Sequence, residues 1–134
     1  MNYIRIVSSF LFALLGGWIS KDNIEIAFLT QHSIIERSGM VNILAGYSCL
    51  LIGFYLTLFW VKKQFQISIN IGDIKKVVGG LLVASLILAI ITFSAINRQI
   101  EGYTECKDKR KLSSRYSSQT YAISPELCKS LITR

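Results

Sequence analysis

Polar side chains are spread unevenly along this chain. Three stretches, residues 4–20, 41–61 and 77–96, are almost entirely apolar, and past Arg5 none of them contains an Asp, Glu, Lys, Arg or His. The second and third have the roughly 20 residues needed to cross a hydrocarbon core about 30 Å thick, which predicts two transmembrane helices. The first is shorter. With Arg5 ahead of it and Gly16-Gly17 near its end it has the outline of a secretory signal peptide. A signal peptidase needs small side chains just before its cut, however, and Gly17-Trp18-Ile19-Ser20 offers Trp18 and Ile19 instead. The expectation is a third, retained helix. Trp18, Trp60 with Lys62-Lys63, and Lys75-Lys76 stand at the span ends, where interfacial aromatics and snorkelling cations belong.

Small residues recur at helical spacing in each span: Ser9, Ala13 and Gly17; Ala45, Cys49, Gly53 and Thr57; Gly80 and Ala84, with Ser85 and Ala89. Lipid tails are as apolar as leucine, so helices in a bilayer associate by close backbone approach, which such stripes permit. The stripes serve either a three-helix bundle within one chain, the reading preferred here, or a seam between copies of a homo-oligomer. Cys49, inside a span, reads as a small buried hydrophobe.

The segments between the spans carry their own patterns. After the first span, Ile24, Ala27, Phe28, Ile34 and Ile35 recur at helical spacing behind Asp22 and Asn23, predicting a short amphipathic helix on the membrane surface. His32 reads there as a solvated or capping side chain. In the second loop Phe65, Ile67, Ile69 and Ile71 alternate with Gln66, Ser68 and Asn70, the period of a half-buried strand. Such a strand would rest on the lipid interface or pair with a partner, and Gly72-Asp73 would end it and cap the third helix. In the tail, Ser113, Ser114, Ser117, Ser118 and Thr120 with Tyr116 and Tyr121 form a polar, aromatic segment. Ser124-Pro125-Glu126 then opens a short helix carrying Leu127, Cys128 and Leu131.

Composition fits this layout: 51% of the 134 residues are hydrophobic and 17% charged. A chain of this length has room for one domain. The net charge of +7 raises the question of nucleic acid, but the cations lie beside the spans and in the tail. The run of Lys107, Lys109, Arg110 and Lys111 has only Tyr103 and Tyr116 as flanking aromatics, so it reads as a solvated or lipid-headgroup contact and no nucleic-acid partner is expected. The absence of ionisable groups at depth argues against a pump or coupled transporter.

Orientation rests on two opposing counts. The second loop holds Lys62, Lys63, Lys75 and Lys76 against Asp73, whereas the first holds Lys21 and Arg37 against Asp22, Glu25 and Glu36. The positive-inside rule then puts the amino terminus in the cytoplasm and the tail outside. The tail's own cations argue the reverse, but most lie far from the span, where they orient less strongly. Cys106 and Cys128 supply a separate vote. Bridged, they would close the tail and stabilise it by about 3 kcal/mol, and only in an oxidising compartment; free cytoplasmic thiols are the alternative. Zinc has too few ligands nearby, and no metal or other cofactor is expected.

The fold class read from these features is an all-α membrane protein: a three-helix transmembrane bundle (1–96), with a short amphipathic first-loop helix and a small disulfide-closed C-terminal cap (97–134). The pieces Gly102-Tyr103-Thr104-Glu105-Cys106 and Tyr121-Ala122-Ile123-Ser124-Pro125-Glu126-Leu127-Cys128, following three spans, resemble a family of short enterobacterial inner-membrane proteins of uncharacterised function. The resemblance implies a bacterial inner membrane, a periplasmic tail and no particular activity. The layout is also similar to small polytopic immunity proteins that guard a bacterium against a pore-forming bacteriocin or secreted toxin.

No paired nucleophile and base, HExxH, P-loop or GxGxxG is present, so a non-enzymatic role is expected. That leaves binding, through the helix faces and through Tyr103, Tyr116 and Tyr121, to a membrane-inserted toxin or another membrane protein. The rival readings are a holin-like pore former, which needs the opposite orientation, and an accessory subunit of a membrane complex.

Overall fold

A computed structural model describes residues 2–29, 32–112 and 117–133. Three long helices dominate it. The first, α1 (Asn2–Ile24), continues through a π-helical turn over Glu25–Leu29. Helices α2 (Met40–Phe65) and α3 (Ile74–Gln99) follow. Each of the three is long and apolar enough to span a bilayer, and side chains such as Leu15, Trp18, Phe54, Val83 and Ile87 stand on the outer surface. Backbone polar groups satisfied inside each helix, beneath an apolar exterior, are what a hydrocarbon solvent requires. This is a membrane protein by the length and composition of its helices. All three run beyond the apolar stretches that predict them, because the flanking polar turns continue the helical hydrogen bonding.

Helix ends follow local chemistry. Gln66, in the left-handed region at φ 51°, stops α2 as the amides of Gln66 and Ile67 return to the Lys62 carbonyl. Asp73 caps α3, its carboxylate accepting from the Lys75 amide at 3.0 Å.

Helix α2 lies between the other two. The pairings of Ala13 with Gly53 and Gly16 with Cys49 and Leu50 show that α1 runs antiparallel to it. Helix α3 meets α1 chiefly at the Glu25–Leu29 turn. The buried core therefore gathers at one end of the bundle, where Ala27, Ile43, Tyr47, Ala89 and Ile96 pack together with Ile26, Leu44, Phe93 and Ala95 around them.

Over that end lies a folded cap, and here the structure departs from the sequence reading. Ile34 and Ile35 do not continue a surface helix. Residues Ile34–Ser38 form a strand, β1, which pairs antiparallel with β4 (Ser117–Ala122) from the tail. Two short strands, β2 (Thr104–Glu105) and β3 (Lys111–Leu112), add to β4, so it is the central strand of a four-stranded sheet. Ile24, Ala27 and Phe28 are helical, but as the extension of α1. The membrane bundle is helical, as read, and the polar part is a sheet with one short helix, α4 (Pro125–Ile132). Pro125 opens α4 as expected, although the Ser124 hydroxyl makes no capping bond.

The second loop differs too: residues 67–73 form no strand. The alternating pattern is there, but no neighbouring strand is. An isolated strand gains no ladder of hydrogen bonds, whereas β1 has β4 to pair with.

Candidate functional site

The cap is the part of the chain with site-like chemistry, and its construction begins with the pairing of β1 and β4. Ile35 lies opposite Tyr121 and Arg37 opposite Gln119, on one face; Ile34 lies opposite Ala122 and Glu36 opposite Thr120, on the other. Ile35 and Ala122 are buried, so the sheet contributes apolar cover on both faces. The ladder extends past the strand ends, with the Gly39 amide donating to Ser117 O at 2.9 Å and the Ile123 amide to Ser33 O at 3.0 Å. A Cβ on Gly39 would require the Ser117 hydroxyl to rotate away.

Arg37 fastens this sheet to the membrane helices. Its guanidinium donates to the Asn97 side-chain oxygen at 2.9 Å and also to the Gln119 side-chain oxygen. It stacks over Phe93 at 5.3 Å and Tyr121 at 5.5 Å. One side chain thus joins β1, β4 and the end of α3, using the planar fork and aromatic stacking that suit arginine better than lysine. A small cavity of about 210 Å³ beside it is lined by Arg37, Gly39, Met40, Phe93, Arg110, Ser117 and Gln119. Arg110 also approaches Glu105 at 4.0 Å, a partly exposed pair at the long limit of an ion pair, and of little energetic weight.

The cysteines lock the far side. Cys106 and Cys128 form a disulfide with Cα atoms 5.4 Å apart, joining the end of β2 to α4. Cys106 is buried, and its amide donates to Thr120 O at 2.8 Å, tying the bridge to β4.

Tyr103 and Tyr121 are half-buried and occupied within the cap. The Tyr103 hydroxyl donates to the His32 carbonyl at 2.9 Å, bringing the tail back onto the first loop, and the Tyr121 hydroxyl donates to Gln119 at 2.9 Å. Tyr116 lies outside the described residues, as do Ser113 and Ser114.

Of the small residues singled out in the spans, Ala13 and Gly53 meet directly: a Cβ on Gly53 would fall 2.7 Å from the Ala13 backbone nitrogen. Cys49 borders the approach of Gly16, where an added Cβ would stand 2.8 Å from the Cys49 carbonyl carbon. Gly17 makes only an ordinary contact with Leu50. Thr57 and Ser9 bond back within their own helices, to Gly53 O at 2.8 Å and Arg5 O at 2.7 Å. Ala45 is exposed and Ala84 half-buried, and Gly80 has nothing within 4 Å of where a Cβ would be. Two of the tightest positions, Gly16 and Gly46, fall outside the stripes read from sequence. The helical row Ala13, Gly16, Ser20, Asn23, Ala27 is the buried face of α1.

Hydroxyls do the corresponding work between α2 and α3. Tyr47 Oη and Thr92 Oγ1 are 2.7 Å apart and buried, and Ser48 Oγ and Ser85 Oγ are 2.9 Å apart. At the opposite end of the bundle Arg5 lies 4.6 Å, and Lys63 5.5 Å, from the Trp60 ring centre. Among the described residues no three metal-ligating side chains cluster.

Neither the curated proteins nor the solved structures contain a match to this chain. A family model does match, over residues 34–129. The matched segment begins at the first residue of β1 and ends inside α4, so it covers the α2–α3 hairpin and the cap, and α1 lies outside it. The chain belongs to the DUF1240 family, described as proteins of unknown function.

Proposed function

We propose that this protein acts by contact, without catalysis, as a bacterial inner-membrane protein of the immunity type that shields the cell from a membrane-targeting toxin. The observation that carries this reading is the cap. It is closed by a disulfide, tied to the first loop through β1 and β4, and clamped to α3 by Arg37. A surface held at three points meets a partner with little ordering left to do, which favours affinity. Ile123, 54% exposed, gives that surface an apolar contact.

Two signals support a cytoplasmic amino terminus and a periplasmic cap. The disulfide needs an oxidising compartment. The cations Arg5, Lys62, Lys63, Lys75 and Lys76 flank the other end of the spans, as the positive-inside rule asks of a cytoplasmic side.

The test is protection. Expressed in a sensitive bacterium, the protein should preserve viability against a toxin encoded beside its gene, and the Cys106→Ser/Cys128→Ser variant should protect less. An impermeant thiol reagent should label Cys106 and Cys128 in intact spheroplasts only after reduction.

A second reading, a holin-like pore former, draws on the first half of α3, where Gly79 and Gly80 have nothing packed within 4 Å. Small residues facing lipid offer a seam for another copy. Induced expression separates the two, since a holin collapses the membrane potential of its host and an immunity protein leaves it intact.

A further inference from the structure

Beneath the cap, between the end of α1 and the start of α2, is a cavity of about 430 Å³. Its floor is apolar, formed by Leu15, Ile19 and Ala45 with Trp18 at the side. Its upper wall is polar, with Asp22 on α1 and Asn42 on α2. From Leu15 to Asp22 is seven residues of helix, a rise of about 10 Å, so the cavity passes from hydrocarbon depth to the headgroup layer. An adjoining cavity of about 300 Å³ is also bordered by Asp22 and adds Glu36 from β1.

Three features of this groove ask for a particular occupant. The Asn42 side-chain nitrogen is buried and has no hydrogen-bond partner, and an unpaired amide donor at the edge of a bilayer is costly until an acceptor arrives. Asp22 and Glu36 have no cation partner among the described residues. Lys21, the cation next to Asp22 in sequence, lines a different cavity with Ala13 and Leu14. Acyl chains are also the solvent at the depth of the floor, so a lipid reaches the groove without leaving the membrane.

We propose that this groove binds an aminophospholipid bearing a primary ammonium, of the phosphatidylethanolamine class, in the leaflet on the cap side. One acyl chain lies along Leu15, Ile19 and Ala45. A phosphate or ester oxygen accepts from Asn42 Nδ2, and the ammonium donates to the carboxylates of Asp22 and Glu36. The order of groups from floor to rim is apolar, donor, acid, which matches the order of chain, ester or phosphate, and ammonium in such a lipid. An anionic headgroup would meet two carboxylates and be repelled. A quaternary ammonium keeps the charge but has no N–H to donate.

The test is native mass spectrometry of the full chain in detergent, with phosphatidylethanolamine, phosphatidylcholine and phosphatidylglycerol of identical acyl chains in competition. The ethanolamine lipid should be retained one to one, about threefold to fivefold over each competitor, the size expected of partly exposed charge pairs. Asp22→Asn with Glu36→Gln should erase the preference, and Asn42→Leu should weaken retention of all three lipids. Equal retention of the three by the native chain would overturn the proposal without recourse to any variant. So would displacement of the ethanolamine lipid by an oligolysine peptide at matching concentration, which would assign the acidic rim to a basic protein segment.

Discussion

Helix α2 is gripped from two sides by different means. Toward α1 the closest contacts are backbone against backbone, at Gly16 and Gly53, where a single added carbon would strike main-chain atoms, while Gly46 receives the side chains of Ile19 and Ser20. Toward α3 the contact is made by hydroxyls, Tyr47 to Thr92 and Ser48 to Ser85. Main chain cannot step aside, whereas a hydroxyl pair can be replaced by shape. In lipid the first kind of seam depends on van der Waals fit. The second adds modest polar bonds, because each hydroxyl finds some partner in the separated helices as well. The hydroxyl seam has outside help: Arg37 and the sheet fasten the end of α3 to the first loop.

If the cap backs the weaker seam, removing its lock should have the largest effect. Cys106→Ser/Cys128→Ser opens a crosslink with a sequence separation of 22 and should cost the cap about 3 kcal/mol. Limited proteolysis should then cut the tail, with α1 and α2 still protected; coincident loss of all three helices would mean that the cap and both seams are one cooperative unit. Gly16→Leu should come next, at about 2 kcal/mol from overpacking, read as a shifted midpoint when the micelle is titrated with a denaturing detergent. A midpoint equal to that of the native chain would show that α1 has room to move and that the backbone seam is not tight.

Arg37→Met keeps length and apolar contact but removes the fork. With the Asn97 side-chain oxygen left unserved and Gln119 keeping only the Tyr121 hydroxyl, the expected loss is about 1.5 kcal/mol, seen as faster hydrogen exchange in β1 and the end of α3. Exchange accelerating in α1 instead would assign Arg37 to the other seam. The smallest effect belongs to Tyr47→Phe, about 0.6 kcal/mol, in the same detergent titration. A loss as large as that of Gly16→Leu would erase the distinction between the two sides of α2.

The places where sequence reading succeeded and failed share a cause. The spans were legible because burial in lipid demands about 20 apolar residues in a row, a property local to each segment. Asp73 capping α3 and Pro125 opening α4 were legible for the same reason. On α1, Gly16 makes the close approach to α2 and its neighbour Gly17 only an ordinary contact with Leu50. Adjacent glycines look alike until the partner helix is in place. From the sequence Arg37 reads only as a charge in the first loop, since its contacts are 60 and 82 residues away.

The sequence by itself determined which three segments form helices long and apolar enough to span a bilayer, that Asp73 caps α3 and that Pro125 opens α4, because each follows from short-range chemistry. Only the tertiary structure decided that Ile34–Ser38, read as helical, is a strand, while residues 67–71, whose alternation predicts one, form none. A strand exists by virtue of its neighbour, and the neighbour of β1 is β4, on the far side of two membrane helices in sequence and beside it in space.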